Sequence, residues 1–462
     1  MIAASKTDDL VDDELLAWIG GVAGGDVIAI ERRSGGASRA GYAVDVVDPG
    51  GTTKALWLRI DTGHGPQSGT SYTVRREGAV YRALGDTPVR VPRLIAIHPT
   101  RDAFLAERLT GQNWFAQITD AVEKVATARA FMAQLAAIHA IDVRTLDIPE
   151  LGHQRHISDH VRDELVIWNA QYREGTADDP VISLAFAWLA AHVPPDGDWP
   201  LVLVQGDTGP GNFLYADGDV VAVMDWEMAH WGDLHDDLGW LCVRDAQERF
   251  THLPDRFLDY EEFGGRSIDL DRLRYFRVLA QMRCAVGTRR GLLARDSRGE
   301  IANHVIYSTM HLSLLADALA EAMGIERPAR VMPAEIAQDP DDATWLFDVA
   351  LDDLREVIVP AIEPGFAQQR AKGLARLLKY LRSVQRAGTT IDAQECDDLT
   401  ILLARPVFDA PAGRRDLCAD LDSDAINHRA VATYCLRYAA RRTDMARDAM
   451  GALADRRYSP IE

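Results

Sequence analysis

The sequence predicts an α+β, bilobal fold: a small antiparallel-sheet lobe, a larger helical lobe, and an additional C-terminal helical module. Three observations carry this expectation. Short strand-like runs fill about 26–110, helical periodicity dominates from about 119 onward, and a compact β region at 201–226 interrupts the helices.

Taken in order, residues 8–20 have the spacing of a short amphipathic helix. The runs VIAIERR, GYAVDVV, ALWLRI, LIAIHP and FLAERL then read as strands. Between the third and fourth, SYTVRREGAVYRAL lets Val74, Ala79, Val80 and Leu84 share one helix face. The order is thus strand, Gly-rich turn, strand, strand, helix, strand, strand, which suits a small antiparallel sheet with one helix packed on it. Three long apolar-periodic stretches follow: AVEKVATARAFMAQLAAIHAID, ISDHVRDELVIWNAQYRE and VISLAFAWLAAHV. VPPDGDWP breaks the helical pattern before the β region. Helical texture returns in ATWLFDVALDDLREVIVPAI and QQRAKGLARLLKYLRSVQRA, past a Pro- and Asp-bearing stretch around 326–342 that reads as a linker. The expected division is 1–110 for the sheet lobe, 111–330 for the helical lobe and 331–462 for the C-terminal module.

Composition narrows the function classes. A chain of 462 residues, 47% hydrophobic and 26% charged, is an ordinary globular composition with room for two or three domains. A formal net charge of -20 argues against nucleic acid or an anionic membrane surface as main partner, since both would be repelled. The acidic N-terminus lacks signal-peptide features, and no run approaches the length needed to span a bilayer. Five scattered cysteines without CxxC spacing read as reduced thiols, so a cytoplasmic location is expected. No GxxxxGK[ST], HExxH or GxSxG motif occurs, and GGVAGG at 20–25 follows a helix instead of a strand.

The informative stretch is LVLVQGDTGPGNFLYADGDVVAVMDWEMAHWGDLHDDLGWL, residues 201–241. Leu201–Val204 reads as a buried strand and Gln205–Asn212 as a loop. Phe213–Tyr215 and Val220–Met224 read as a hairpin turning at Ala216-Asp217-Gly218-Asp219. A hairpin returns the end of its second strand beside the start of its first, so Asp225 is brought to Asn212, with Asp207 in the same loop. One carboxylate can accept the proton of an attacking hydroxyl, while a second carboxylate and an amide oxygen hold Mg²⁺. An ordinary Asp/Asn/Gly turn closing a hairpin is the bland alternative for any one of these residues.

The ordered set resembles the aminoglycoside phosphotransferase family, whose pattern runs H-G-D-x-x-x-x-N, hairpin, D-[WF]-E, then G-D-x-x-x-D-L. Here it is Gly206-Asp207, Asn212, Asp225-Trp226-Glu227, Gly232-Asp233 and Asp237-Leu238. The resemblance implies a protein-kinase-like fold, Asp207 as catalytic base, and Asn212 and Asp225 as metal ligands. It gives Asp233 and Asp237 helix-start and loop-bracing roles. Gln205 departs from the usual His, though an amide can also donate and accept. His139 and Asp142 match a family LxxLHxxD pattern and read as structural; His230 and His235 are assigned no chemistry.

On the nucleotide side, the turn Ser34-Gly35-Gly36-Ala37-Ser38 can offer backbone N–H groups to phosphate, or can be a plain hairpin turn. Arg59 stands where the family shows Lys or Arg on the third strand, with Glu77 as its expected ion-pair partner; the alternative is a solvent-facing Arg. Glu107 matches the segment linking the lobes, where the Leu109 backbone can hydrogen-bond adenine.

The implied activity is that of an ATP- and Mg²⁺-dependent small-molecule kinase. DWEMAHWGDLHDDLGWLCVR and LDYEEFGGRSIDLDRLRYF resemble a bacterial branch related to the kinase-like domains fused to certain acyl-CoA dehydrogenases. That implies an acceptor hydroxyl on a catabolic intermediate, such as a hydroxyacyl-CoA, alcohol or phenol. The alternatives are an aminoglycoside or macrolide kinase and a non-catalytic kinase-like nucleotide-binding protein. The C-terminal module resembles one appended to some members of the branch and leaves room for homo-oligomerisation.

Overall fold

The computed structural model describes residues 10–33, 39–63, 67, 70–175, 177–264, 266–295, 301–327 and 343–462. Helix α1 (Asp13–Ala23) leads into β1 (Asp26–Arg33), β2 (Arg39–Val47) and β3 (Thr53–Asp61). Next come α2 (Val74–Leu84), β4 (Leu94–Ile97), β5 (Ala103–Glu107), α3 (Ala121–His139), α4 (Ile157–Arg173) and α5 (Pro180–Ala191). The interrupting β region supplies β6 (Val202–Val204), β7 (Phe213–Ala216), β8 (Asp219–Val223) and β9 (His230–Gly232). Helices α6 (Leu234–Gln247), α7 (Leu253–Gly264), α8 (Leu270–Leu293) and α9 (Ile301–Ala322) follow. Helix α10 (Trp345–Asp353) runs through a π-turn at Leu354–Ile358 into the single-turn α11 (Val359–Ala361). The chain closes with α12 (Phe366–Leu402), α13 (Ala410–Asp422) and α14 (His428–Met450).

The chain forms two compact units. One comprises Met1–His160, Pro195–Leu270 and Ser459–Glu462; the other comprises Val161–Pro194 and Asp271–Tyr458. These units divide the chain differently from the three consecutive segments expected. The sheet shares a unit with α3, β6–β9, α6 and α7. In the other unit, α14 packs along α5, α9 and α12, and α13 against α5, so the C-terminal helices share a core with earlier ones.

The first unit carries an antiparallel sheet of order β1-β2-β3-β5-β4. Strand alternation puts Tyr42, Leu58 and Leu105 on one face, aligned across β2, β3 and β5. Helix α1 covers that face with Leu15, Ile19 and Ala23, spaced one turn apart. Asp12 caps α1 by accepting from the Leu15 N–H, and Gly24 ends it in the left-handed region. The opposite face carries Arg59 and Phe104, paired across β3 and β5. There α2 packs close, with Tyr81 meeting Phe104 edge-on at 5.4 Å, and the predicted face of Val74, Ala79, Val80 and Leu84 is fully buried. Among the described residues no helix is long and apolar enough to cross a membrane.

Candidate active site

The loop after β6 is fixed by hydrogen bonds that its sequence alone supplies in part. Gln205 uses both ends of its amide: Nε2 donates to the carbonyls of Met224 (2.9 Å) and Asp225 (2.7 Å). Its Oε1 accepts from the Asp207 N–H at 2.9 Å, and the Thr208 hydroxyl oxygen lies 3.2 Å away. One buried side chain thus ties the loop to the end of β8. Gly206 has φ 88°, and a Cβ there would lie 2.4 Å from the Met228 carbonyl oxygen, so only glycine fits.

Asp237, on the first turns of α6, braces the same loop from beneath. Its Oδ2 accepts from the Gln205 N–H and its Oδ1 from the Gly206 N–H, both at 2.9 Å. The Thr208 hydroxyl donates to Oδ1 as well, and His139 Nε2 sits 3.0 Å from Oδ2 while its Nδ1 meets the Tyr260 hydroxyl at 2.8 Å. Asp233 caps α6 by accepting from the His235 N–H. Both aspartates occupy the helix-start and loop-bracing positions expected of them.

The hairpin forms as anticipated, with a register shift between Leu214 and Tyr215. Phe213 pairs with Val223, the turn Asp217-Gly218 lies at positive φ, and the Met224 N–H donates to the Asn212 carbonyl at 2.8 Å. Phe213 stacks on Phe131 of α3 at 4.4 Å, anchoring the hairpin. Asn212 Nδ2 donates to the Asp207 carbonyl at 2.6 Å, which commits the nitrogen end of the amide and leaves Oδ1 to ligate. Asp225 follows β8 with φ 60°, a left-handed conformation that Asp tolerates better than most residues.

Arg59 reaches this edge from β3. Its Nη2 donates to Asp225 Oδ1 at 2.8 Å, and its Nε lies 3.5 Å from Glu77 Oε2 on α2. The expected Arg59–Glu77 pair is therefore present, and the solvent-facing alternative is excluded by a side chain only 16% exposed. The Tyr81 hydroxyl donates to Glu77 Oε1 at 3.1 Å. Behind Arg59, Glu227 Oε2 lies 3.1 Å from Arg39 Nε, and Arg39 Nη1 donates to Asp61 at 2.8 Å.

Two arginines here face four carboxylates: Asp61, Glu77, Asp225 and Glu227. That imbalance appears in the protonation equilibria. Burial raises Glu77, with Arg59 pulling against it. Burial and then Asp225 push Glu227 up to about 8, against Arg59 and Arg39. The folded chain thus keeps a proton on Glu227 that the unfolded chain, at its ordinary value of 4.5, releases. Stability from this group therefore falls as pH rises from about 5 to 8, because the native state binds more protons there. Glu227→Gln is expected to flatten that fall in the urea midpoint; an unchanged slope would assign the titration elsewhere.

The excess of negative charge is of the sign a divalent cation would offset, and Asp225 with Asn212 Oδ1 could supply two hard oxygen ligands. Mg²⁺ commonly takes one or two protein ligands and completes its shell with phosphate and water. Among the described residues no group of three His, Cys, Asp or Glu side chains forms a metal cage of its own. The donor set, one carboxylate and one amide oxygen, fits Mg²⁺.

Asp207 is held by a partner absent from the sequence reading. Arg244, in the last turn of α6, donates from Nε to Oδ1 at 2.8 Å and from Nη2 to Oδ2. Burial raises the Asp207 carboxyl, and Arg244 draws it back down. The remaining nucleotide-side expectations are less developed. Ser34, Gly35, Gly36 and Ser38 lie outside the described residues. The Glu107 N–H donates to the Arg93 carbonyl, while its carboxylate is half-exposed beside Arg93. Leu109, two residues past β5, is half-buried, and its N–H makes no hydrogen bond among the described residues.

Residues 29–276, over half of the chain, match the phosphotransferase enzyme family (APH). A solved structure from Ralstonia eutropha JMP134, described as an aminoglycoside phosphotransferase, superposes with a TM-score of 0.55 at 19% identity. The match covers 68% of this chain and 99% of that one, and it establishes the fold. Acyl-CoA dehydrogenase family member 10 of Mus musculus is 24% identical over 185 residues, 38% of this chain and 17% of the relative. Family member 11 of the same organism is 27% identical over 124 residues, 26% of this chain and 15% of the relative. The chain thus spans less than a fifth of these curated relatives. With the family match running from β1 through the loop, the hairpin and α6, the chain belongs to the phosphotransferase enzyme family and has its kinase-like α+β fold.

Proposed function

We propose that the chain is an ATP- and Mg²⁺-dependent small-molecule kinase that phosphorylates a hydroxyl of a catabolic intermediate, such as a hydroxyacyl-CoA, alcohol or phenol. The observation that carries the reading is the meeting of Asp207, Asn212, Asp225 and Arg59 at one edge. Asp207 accepts the acceptor's hydroxyl proton as that oxygen bonds to the γ-phosphorus. The bond from the γ-phosphorus to the β,γ-bridging oxygen breaks, and ADP leaves. Arg59, held between Asp225 and Glu77, would contribute positive charge toward the phosphates. Asn212 and Asp225 would hold Mg²⁺, which when bound would supply neutralisation of phosphate charge. The Leu109 N–H is suited to the adenine edge.

The acceptor class is supported by the two relatives, whose names place them with acyl-CoA chemistry. A second reading, an antibiotic kinase, is favoured by the Ralstonia neighbour's description as an aminoglycoside phosphotransferase. ADP release measured against aryl alcohols, hydroxyacyl-CoAs and aminoglycosides separates them: stimulation by the first two classes is expected. Stimulation by aminoglycosides alone would establish the second reading. Asp225→Ala is expected to weaken Mg-ATP binding at least about tenfold, about 1.4 kcal/mol, in a titration. Unchanged affinity would remove Asp225 from the metal site.

A further inference from the structure

We propose that Arg244 is a positioning residue for phosphoryl transfer, fixing the Asp207 carboxylate in the orientation from which it receives the acceptor's proton. The inference rests on the kinase reading above and adds a residue to it. Helix α6 lies along the loop for two turns. Asp237 and Arg244 are seven residues apart and so share one face of the helix. At the first, the helix holds loop backbone; at the second, it holds the functional carboxylate itself. Gly209 makes the approach possible: a Cβ there would lie 2.7 Å from Arg244 Cβ and 3.0 Å from its Cγ. The stem of Arg244 therefore packs on the loop while its fork engages both oxygens of Asp207.

The platform beneath Arg244 is itself pinned. Its neighbour Asp245 is fully buried and accepts from the Phe250 N–H at 2.9 Å, Arg249 Nη1 at 2.8 Å and the Ser459 hydroxyl at 2.7 Å. A guanidinium presented from such an end sets direction as well as charge, because a two-point contact fixes the carboxylate plane. The fork leaves part of the carboxylate's lone-pair capacity for the acceptor hydroxyl, beside the Asn212 amide. Lysine cannot reproduce this contact, since its ammonium offers one point of charge and no planar fork.

The test compares Arg244→Gln, Arg244→Lys and Asp207→Asn in the full chain, with water as acceptor. Misorientation of a reacting group costs about a hundredfold, so Arg244→Gln is expected to lower kcat for Mg-ATP hydrolysis by that order. The affinity for Mg-ADP and the thermal midpoint should stay at wild-type values, and Arg244→Lys should recover only part of the rate. A second measurement needs no turnover. Carbodiimide coupling of a small amine, followed by mass spectrometry of the peptide bearing Asp207, should modify that carboxylate faster in Arg244→Gln than in wild type. Equal labelling, an unchanged kcat, full rescue by Lys, or parallel losses of kcat, Mg-ADP affinity and thermal midpoint would each overturn the proposal. If Asp207→Asn hydrolyses ATP at the wild-type rate, it is the base assignment that fails, and the labelling still reports whether Arg244 holds the carboxylate.

Discussion

Replacing Asp207 by Asn is expected to lower phosphoryl transfer by about 10²–10⁴-fold, the range for loss of a general base, or about 3–5 kcal/mol of barrier. The shape of the side chain survives, and its Oδ1 still accepts from Arg244, so the loop should keep its fold. What disappears is the oxygen that takes the proton. The groups assigned to nucleotide and metal are different ones, Arg59, Asn212 and Asp225, and the Asp207 backbone carbonyl that accepts from Asn212 Nδ2 is untouched by the substitution. A titration with Mg-ADP should therefore give wild-type affinity while ADP release falls. Turnover at the wild-type rate would mean that the proton goes elsewhere, and equal losses of binding and rate would mean that the loop had collapsed.

Much of this edge was legible because its geometry is local. A two-residue turn at Asp217-Gly218 dictates that Asn212 and Asp225 return to each other, and no distant contact is needed to foresee it. The sheet and its covering helix α2 followed from strand texture and helix spacing in the same way, and the Arg59–Glu77 pair from the family resemblance. Arg39 was not legible. It opens β2 like any polar strand residue, and only the cross-strand register that pairs it with Asp61, together with Glu227 arriving from a segment nearly 190 residues later, makes it a buried link. Arg244 was hidden for a different reason. A basic residue in the last turn of a helix is ordinary dipole pairing, and its tie to Asp207 depends on where α6 lies. One signal could have found it, the seven-residue offset from Asp237. The C-terminal helices were read as a module apart because the stretch at 326–342 looks like a boundary. Sequence texture marks boundaries but not partners, and their partners are α5 and α9.

Asp237→Ala is expected to have the largest effect on stability. The carboxylate is wholly buried and serves the N–H groups of Gln205 and Gly206, the Thr208 hydroxyl and His139 at once. Removing it leaves these donors facing a void that water cannot readily reach, and breaking such a buried charged network typically costs about 3–5 kcal/mol. In a unit of this size each kcal/mol moves the thermal midpoint by about 2–4 °C, so a drop of order 10 °C in the transition of the first unit is expected. Activity should fall with it, since the backbone of Gln205 and Gly206 carries Asp207. Asp237→Asn separates the two effects. One amide oxygen can still accept from the loop, but the nitrogen must face donors, the Gln205 N–H and His139 on one side or the Gly206 N–H and the Thr208 hydroxyl on the other. It should therefore recover part of the stability and little of the rate. An Asp237→Ala chain that melts within a degree of wild type and turns over normally would show that Gln205 alone suffices to hold the loop.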